Sequence, residues 1–133
     1  MARLIVLDAS VVIAALSGDD EHHGAAAAAL RAAMEDELVL AATTRAEVMV
    51  GPASRGGSGL KRVREFVAGC STVPVTGAIA DAAALVKAAH RALSLPDALT
   101  LALAESLDAD AVWTFDRRWK GIADRVEIPS VVS

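Results

Sequence analysis

Alternating strands and helices predict an α/β fold with a central, mostly parallel sheet of four to five strands flanked by helices. Three observations carry this. Leu4-Ile5-Val6-Leu7 is apolar on both faces, as a strand covered from both sides must be. The order reads strand, helix, helix, strand, helices, strand, helices, strand. Finally, Asp8 and Asp116 each close an apolar strand, and sheets of this kind bind ligands beyond the carboxyl ends of their strands.

The elements follow in order. Arg3 to Leu7 is the first strand, and Ser10 is positioned to cap a helix through Leu16. Ser17-Gly18-Asp19-Asp20 turns into an alanine-rich helix over about His22 to Glu35. Glu37 to Ala41 is strand two. Thr43 or Thr44 caps the next helix, which carries Glu47 and is expected to stop at Gly51-Pro52. Residues Ser54 to Gly59 read as a flexible loop, too short of flanking chain to link two domains. A helix from Leu60 to Ala68 and a strand from Thr72 to Val75 follow. The stripe Ile79, Ala82, Ala83, Val86 and Ala89 predicts a long helix from Ala78 to Leu93. Pro96 suits the first turn of the next helix, which runs to Leu107. Ala111 to Phe115 and Val126 to Ile128 complete the strands.

The 133 residues fit one domain, 1–133, and 54% hydrophobic content is ample for a core. With 3% aromatics that core must be aliphatic, and part of the apolar surplus is expected in an interface between subunits. No apolar run is long enough to span a bilayer, no signal peptide is evident, and Cys70 has no intrachain partner for a disulfide. A cytoplasmic location is the expectation. The net charge of −4 excludes nucleic-acid binding driven by bulk charge, so binding of RNA or DNA would need a local basic rim and a bound metal to offset the acids.

Asp8, Glu47, Asp97 and Asp116 are each embedded in apolar sequence, where a lone charge is costly to bury. Two carboxylates about 4 Å apart repel by roughly 4 kcal/mol at an effective dielectric of about 20. Four that converge must share a cation or take up protons. A hard divalent ion prefers such oxygen ligands. Asp8, Asp97 and Asp116 are the main candidate metal ligands and catalytic residues, with Glu47 completing the set. Ser10 and Thr114 could position a carboxylate or a phosphate oxygen.

At these residues the chain resembles the PIN-domain proteins, and among them the VapC-type toxins of type II toxin–antitoxin pairs. Val6-Leu7-Asp8-Ala9-Ser10, the helical Glu47, Pro96-Asp97-Ala98-Leu99 and Thr114-Phe115-Asp116 with Trp119 match that family's motifs in order, over essentially the whole chain. Arg117 and Arg118 stand where many relatives carry a further acid. The resemblance implies a PIN-like three-layer fold and a cytoplasmic, Mg²⁺-dependent endoribonuclease, with Mn²⁺ as an alternative ion. It also implies a homodimer held in check by a cognate VapB-type antitoxin, in a complex that can be of higher order.

The remaining polar groups have plainer readings. Arg117, Arg118 and Lys120 could contact RNA phosphates, or form a solvated face, and the same holds for Arg55, Lys61, Arg62 and Arg64. His22 and His23 are expected on an exposed helix start, Cys70 as a small buried hydrophobe, and Trp113 and Trp119 in packing roles. Rival functions are a PIN-like nuclease acting on DNA, a non-catalytic PIN-like binding module and a phospho-receiver domain. The intact acidic set disfavours the second. Ala9 after Asp8, and no Lys at the end of a late strand, disfavour the third.

Overall fold

The structure is a computed structural model that describes residues 1–131. Strands β1 (Leu4–Leu7), β2 (Glu37–Ala41), β3 (Ser71–Val73), β4 (Ala111–Trp113) and β5 (Val126–Glu127) form one sheet in the order β3-β2-β1-β4-β5. Each neighbouring pair is parallel. The helices are α1 (Ala9–Leu16), α2 (His23–Ala32), α3 (Ala42–Arg55), α4 (Gly59–Ala68), α5 (Gly77–Ala89) and α6 (Leu95–Ser106). The expected α/β class is present, and the sheet, expected as mostly parallel with four to five strands, has five strands that are all parallel.

The two-faced apolarity of β1 builds three layers. Ile5 and Leu7 join Val11, Val12, Val48, Val63 and Val67 of α1, α3 and α4 in one core. Val6 joins Ile79, Ala83, Leu101 and Trp119 in the other. Each aliphatic side chain buried in this way contributes about 1.5–3 kcal/mol. Cys70 packs half-buried against the first core, and that burial pushes its thiol up to about 11.

Several boundaries differ from expectation, and each difference has a local cause. Asp8, not Ser10, is the residue before α1, so Ser10 lies in the first turn with its hydroxyl turned back to Asp8. Helix α2 ends at Ala32, three residues short of Glu35. Helix α3 starts directly after β2 without a threonine cap and runs through Gly51-Pro52 to Arg55. A residue before proline avoids helical geometry partly because its Cβ meets the proline ring, and Gly51 has none. The stop comes at Gly56 and Gly57, whose φ values of 73° and 78° suit glycine. Strand β3 is Ser71–Val73 rather than Thr72 to Val75. Helix α5 ends at Ala89, because Leu93 turns into the core (3% exposed) and Ser94 caps α6. Strand β4 stops at Trp113, short of Phe115, although Thr114 N–H still donates to Glu127 O at 3.3 Å. Residues Arg117–Gly121 form a 3-10 helix that periodicity did not predict.

Candidate metal centre

The order β3-β2-β1-β4-β5 reverses direction between β1 and β4, so the crevice at their carboxyl ends is the natural ligand site. Asp8 leaves β1 there and Thr114 to Asp116 leave β4 there. Asp97 sits in the first turn of α6. Glu47 lies in the second turn of α3, after β2.

Asp8 is the buried member, 8% exposed. Its Oδ2 accepts from Ser10 Oγ at 2.7 Å and from Thr114 Oγ1 at 2.8 Å. Those hydroxyls also tie the β4 exit: Phe115 N–H donates to Ser10 Oγ at 3.1 Å and Asp116 N–H to Thr114 Oγ1 at 3.0 Å. Ser10 and Thr114 therefore lock the two strand ends around one carboxylate. Burial pushes Asp8 above the usual carboxylate range, and the two hydroxyls with the Ala9 and Ser10 N–H groups offset this in part.

Glu47 is exposed at the rim, and partial desolvation followed by the charges of Asp8 and Asp97 raises its pKa. Asp97 is raised by burial first and then by Asp8, and Asp116 adds to that; Ser94 and Arg118 act against it. Ser94 Oγ accepts from Asp97 N–H at 3.2 Å, fixing the turn that presents the acid. Glu47 and Asp97 thus both feel the charge of Asp8 at a common pole.

Asp116 differs. The Arg118 guanidinium grips it with Nε at 3.0 Å from Oδ1 and Nη2 at 2.6 Å from Oδ2, while Arg118 N–H donates to Oδ1 at 3.0 Å. That pairing holds Asp116 below its ordinary range. Asp116 thereby caps the 3-10 helix. Among the described residues no three Asp, Glu, His or Cys side chains stand close enough together to hold an ion as they are placed. The four acids gather at one edge, yet Asp116 faces Arg118 and Glu47 leans to solvent.

Sequence reasoning missed three neighbours. Thr44 and Thr100 meet at 3.3 Å between their hydroxyl oxygens, and both are buried. Each lies three residues from an acid, Glu47 or Asp97, so this contact joins α3 to α6 beneath the pair. Thr100 also donates to Pro96 O at 3.2 Å. His22 stacks on Phe115 with ring centroids 4.2 Å apart and planes 7° from parallel, so it is not a freely solvated helix start. No sequence periodicity marks these contacts, because each joins elements far apart in the chain. The other expected cations lie elsewhere. Arg62 donates to Leu16 O and Lys61 pairs loosely with Glu65 at 3.9 Å.

A β1–β4 crevice ringed by acids on an all-parallel sheet of this order defines a known class. Residues 5–125 match the PIN domain family, and the chain belongs to it. Among solved structures it is similar to a toxin–antitoxin complex from Klebsiella pneumoniae (24% identity, TM-score 0.80, covering 96% of this chain and 99% of that one). It is similar too to VapC20 of Mycobacterium tuberculosis, described as a sarcin–ricin loop cleaving toxin (19% identity, TM-score 0.75, 88% and 93% covered). A third is FitAcB of Neisseria gonorrhoeae (21% identity, TM-score 0.73, 95% and 96% covered). At these identities the likeness establishes the fold. A search of curated proteins finds no match. Among the described residues no helix is long and apolar enough to cross a membrane.

Proposed function

We propose that the protein is a metal-dependent endoribonuclease and the toxin of a VapBC-type toxin–antitoxin pair. The observation that carries this reading is the buried Asp8 carboxylate at the β1–β4 crevice, whose charge raises both Glu47 and Asp97 at the same edge, a grouping that a shared cation would relieve. The donor set is all carboxylate, which suits Mg²⁺ or Mn²⁺ and not a thiolate-loving ion. Asp8, Asp97, Asp116 and Glu47 would hold the ion, some through water. A bound divalent ion supplies an activated water and stabilises charge building on the phosphate. The chain's own work is orientation. Ser10 and Thr114 aim Asp8 and offset part of its desolvation, Ser94 fixes Asp97, and Glu47 at the rim is placed to orient an incoming water. Arg118, on the solvent side, must leave Asp116 for that carboxylate to serve as a ligand, and is then free for a phosphate oxygen.

A partner antitoxin and a homodimer belong to the same reading. A small cavity of about 110 Å³ between α1, α3 and α4, lined by Val12, Ile13, Leu16, Val48 and Val63 together with Arg55 and Arg62, has room for a single apolar side chain of such a partner. Loss of cleavage on adding a stoichiometric antitoxin supports the pairing. Unchanged activity with the antitoxin bound argues against blockade of the site.

The direct test compares wild type and Asp97→Asn on matched RNA and DNA pools, each with Mg²⁺ and with EDTA. Cleavage of RNA by wild type with Mg²⁺ alone, reduced at least about 100-fold in the variant, is expected. Equal cutting by both proteins would place the activity elsewhere, and cutting of DNA alone would replace the substrate.

Arg118→Ala should tighten Mg²⁺ binding, because the ion no longer competes with an internal cation. Arg118 is 65% exposed, so solvent screens the pair and the gain is modest, about two- to fivefold. The midpoint of a Mg²⁺-dependent melting shift reads it. A weaker midpoint would mean that Arg118 supports the site instead of competing for it.

A further inference from the structure

Beside the acidic pole lies a groove of which the proposed chemistry uses only Arg118. It runs between the α5–α6 turn and the 3-10 helix, encloses about 310 Å³, and is lined by His90, Arg91, Ala92, Leu93, Arg118 and Ile122, with Gly121 at its edge. No Asp or Glu lines it. Arg91 is exposed and makes no ion pair among the described residues. Lys87 donates to Arg91 O at 2.9 Å, which pins a further cation to the same turn. Leu93 and Ile122 give the groove an apolar floor continuous with the core.

Arg118 is the junction. It lines this groove and also grips Asp116, so one guanidinium links the groove to the nearest of the acids. The far end of the sheet is the reverse case. Glu105, Asp108, Asp110 and Asp124 line a cavity there, answered by Arg125 alone. These four acids sit away from the groove, where Arg118 is paired with Asp116 and Arg91 has no carboxylate partner among the described residues.

We infer that this groove is a phosphate-binding subsite that seats the RNA strand flanking the scissile bond, with Arg91 and Arg118 on successive phosphates and Leu93 and Ile122 beneath the sugars. The inference rests on the ribonuclease reading and adds the path of the substrate to it. Charge complementarity selects the occupant. A polyanion gains from a groove with cations and no carboxylate, and neutralising each phosphate releases counterions. An apolar floor with a basic rim accommodates a single strand without reading its sequence.

The test uses Asp97→Asn, which retains the groove, with Mg²⁺ and a fluorescein-labelled single-stranded RNA of mixed sequence. Anisotropy titrations at several salt concentrations give affinity and salt slope. Adding Arg91→Glu should weaken binding several-fold and, by removing one phosphate contact, lower the salt slope by about 1. Arg31→Glu makes the same charge change on α2, which packs on the other face of the sheet, and should do much less. Arg91→Ala serves if the reversal unfolds the turn, as a melting curve would show. Unchanged affinity with both Arg91 variants overturns the groove while leaving the ribonuclease reading intact. Equal weakening by Arg91→Glu and Arg31→Glu overturns it as well, because bulk charge then explains the binding. No RNA binding by the Asp97→Asn parent removes the RNA reading, and the groove with it.

Discussion

Asp8→Asn should abolish cleavage and, in EDTA at neutral pH, make the protein more stable than wild type. The carboxylate is 8% exposed, and burial holds its folded pKa above the ordinary 3.8. Its stabilising contribution is therefore complete below about pH 4, where the unfolded chain is also protonated, and is lost as pH rises through the higher folded value. At neutral pH the fold carries a charge it would rather not hold. Asparagine keeps an oxygen for Ser10 and Thr114 and removes that charge, along with its repulsion of Glu47 and Asp97. The expected gain is about 1 kcal/mol, or roughly 3–6 °C in Tm. The gap should narrow as pH falls towards 4, and Mg²⁺ should reverse it by stabilising only wild type. Melting curves over pH in EDTA check this. A variant that melts below wild type at every pH would show that the Asp8 charge is well satisfied by its donors.

The second large effect is on the fold. Trp119 is completely buried, in the core shared with Val6, Val112 and Leu101, and it anchors the 3-10 helix that carries Arg118. Trp119→Ala should cost about 3–5 kcal/mol, as deletions of large buried aromatics do. That corresponds to a loss of roughly 10–20 °C in Tm. Trp119→Phe should cost distinctly less. The indole Nε1 is buried without a hydrogen-bond partner among the described residues, so phenylalanine forfeits contact area but no bond. Denaturant unfolding of the two variants gives the comparison. Equal losses would mean that Nε1 has a partner, such as an ordered water.

The acidic residues were legible because chemistry and topology agree on them. A carboxylate at the end of an apolar strand is conspicuous in one dimension, and parallel sheets gather strand ends at one edge. Asp8, Asp97 and Asp116 could be placed at that edge from sequence alone. The state of Asp116 could not. Its salt link to Arg118 depends on a 3-10 turn that five residues with two arginines and a tryptophan do not announce. The boundary at α3 misled for a related reason. Gly51-Pro52 is a stop signal by local rules, but packing of Val48 against the core and the lack of a Cβ at Gly51 let the helix continue.

The sequence by itself determined the α/β class, the two-faced central strand and the order of elements, and it marked four acids as candidates for one site. These follow from periodicity and from the cost of burying charge, both of which are local and readable. Tertiary structure alone decided how those acids are held. It placed Ser10 and Thr114 on one oxygen of Asp8, joined Thr44 to Thr100 beneath Glu47 and Asp97, and turned Arg118 between Asp116 and a basic groove. Each of those contacts depends on side-chain directions across elements brought together only when both faces of the sheet are covered, and no linear pattern encodes them.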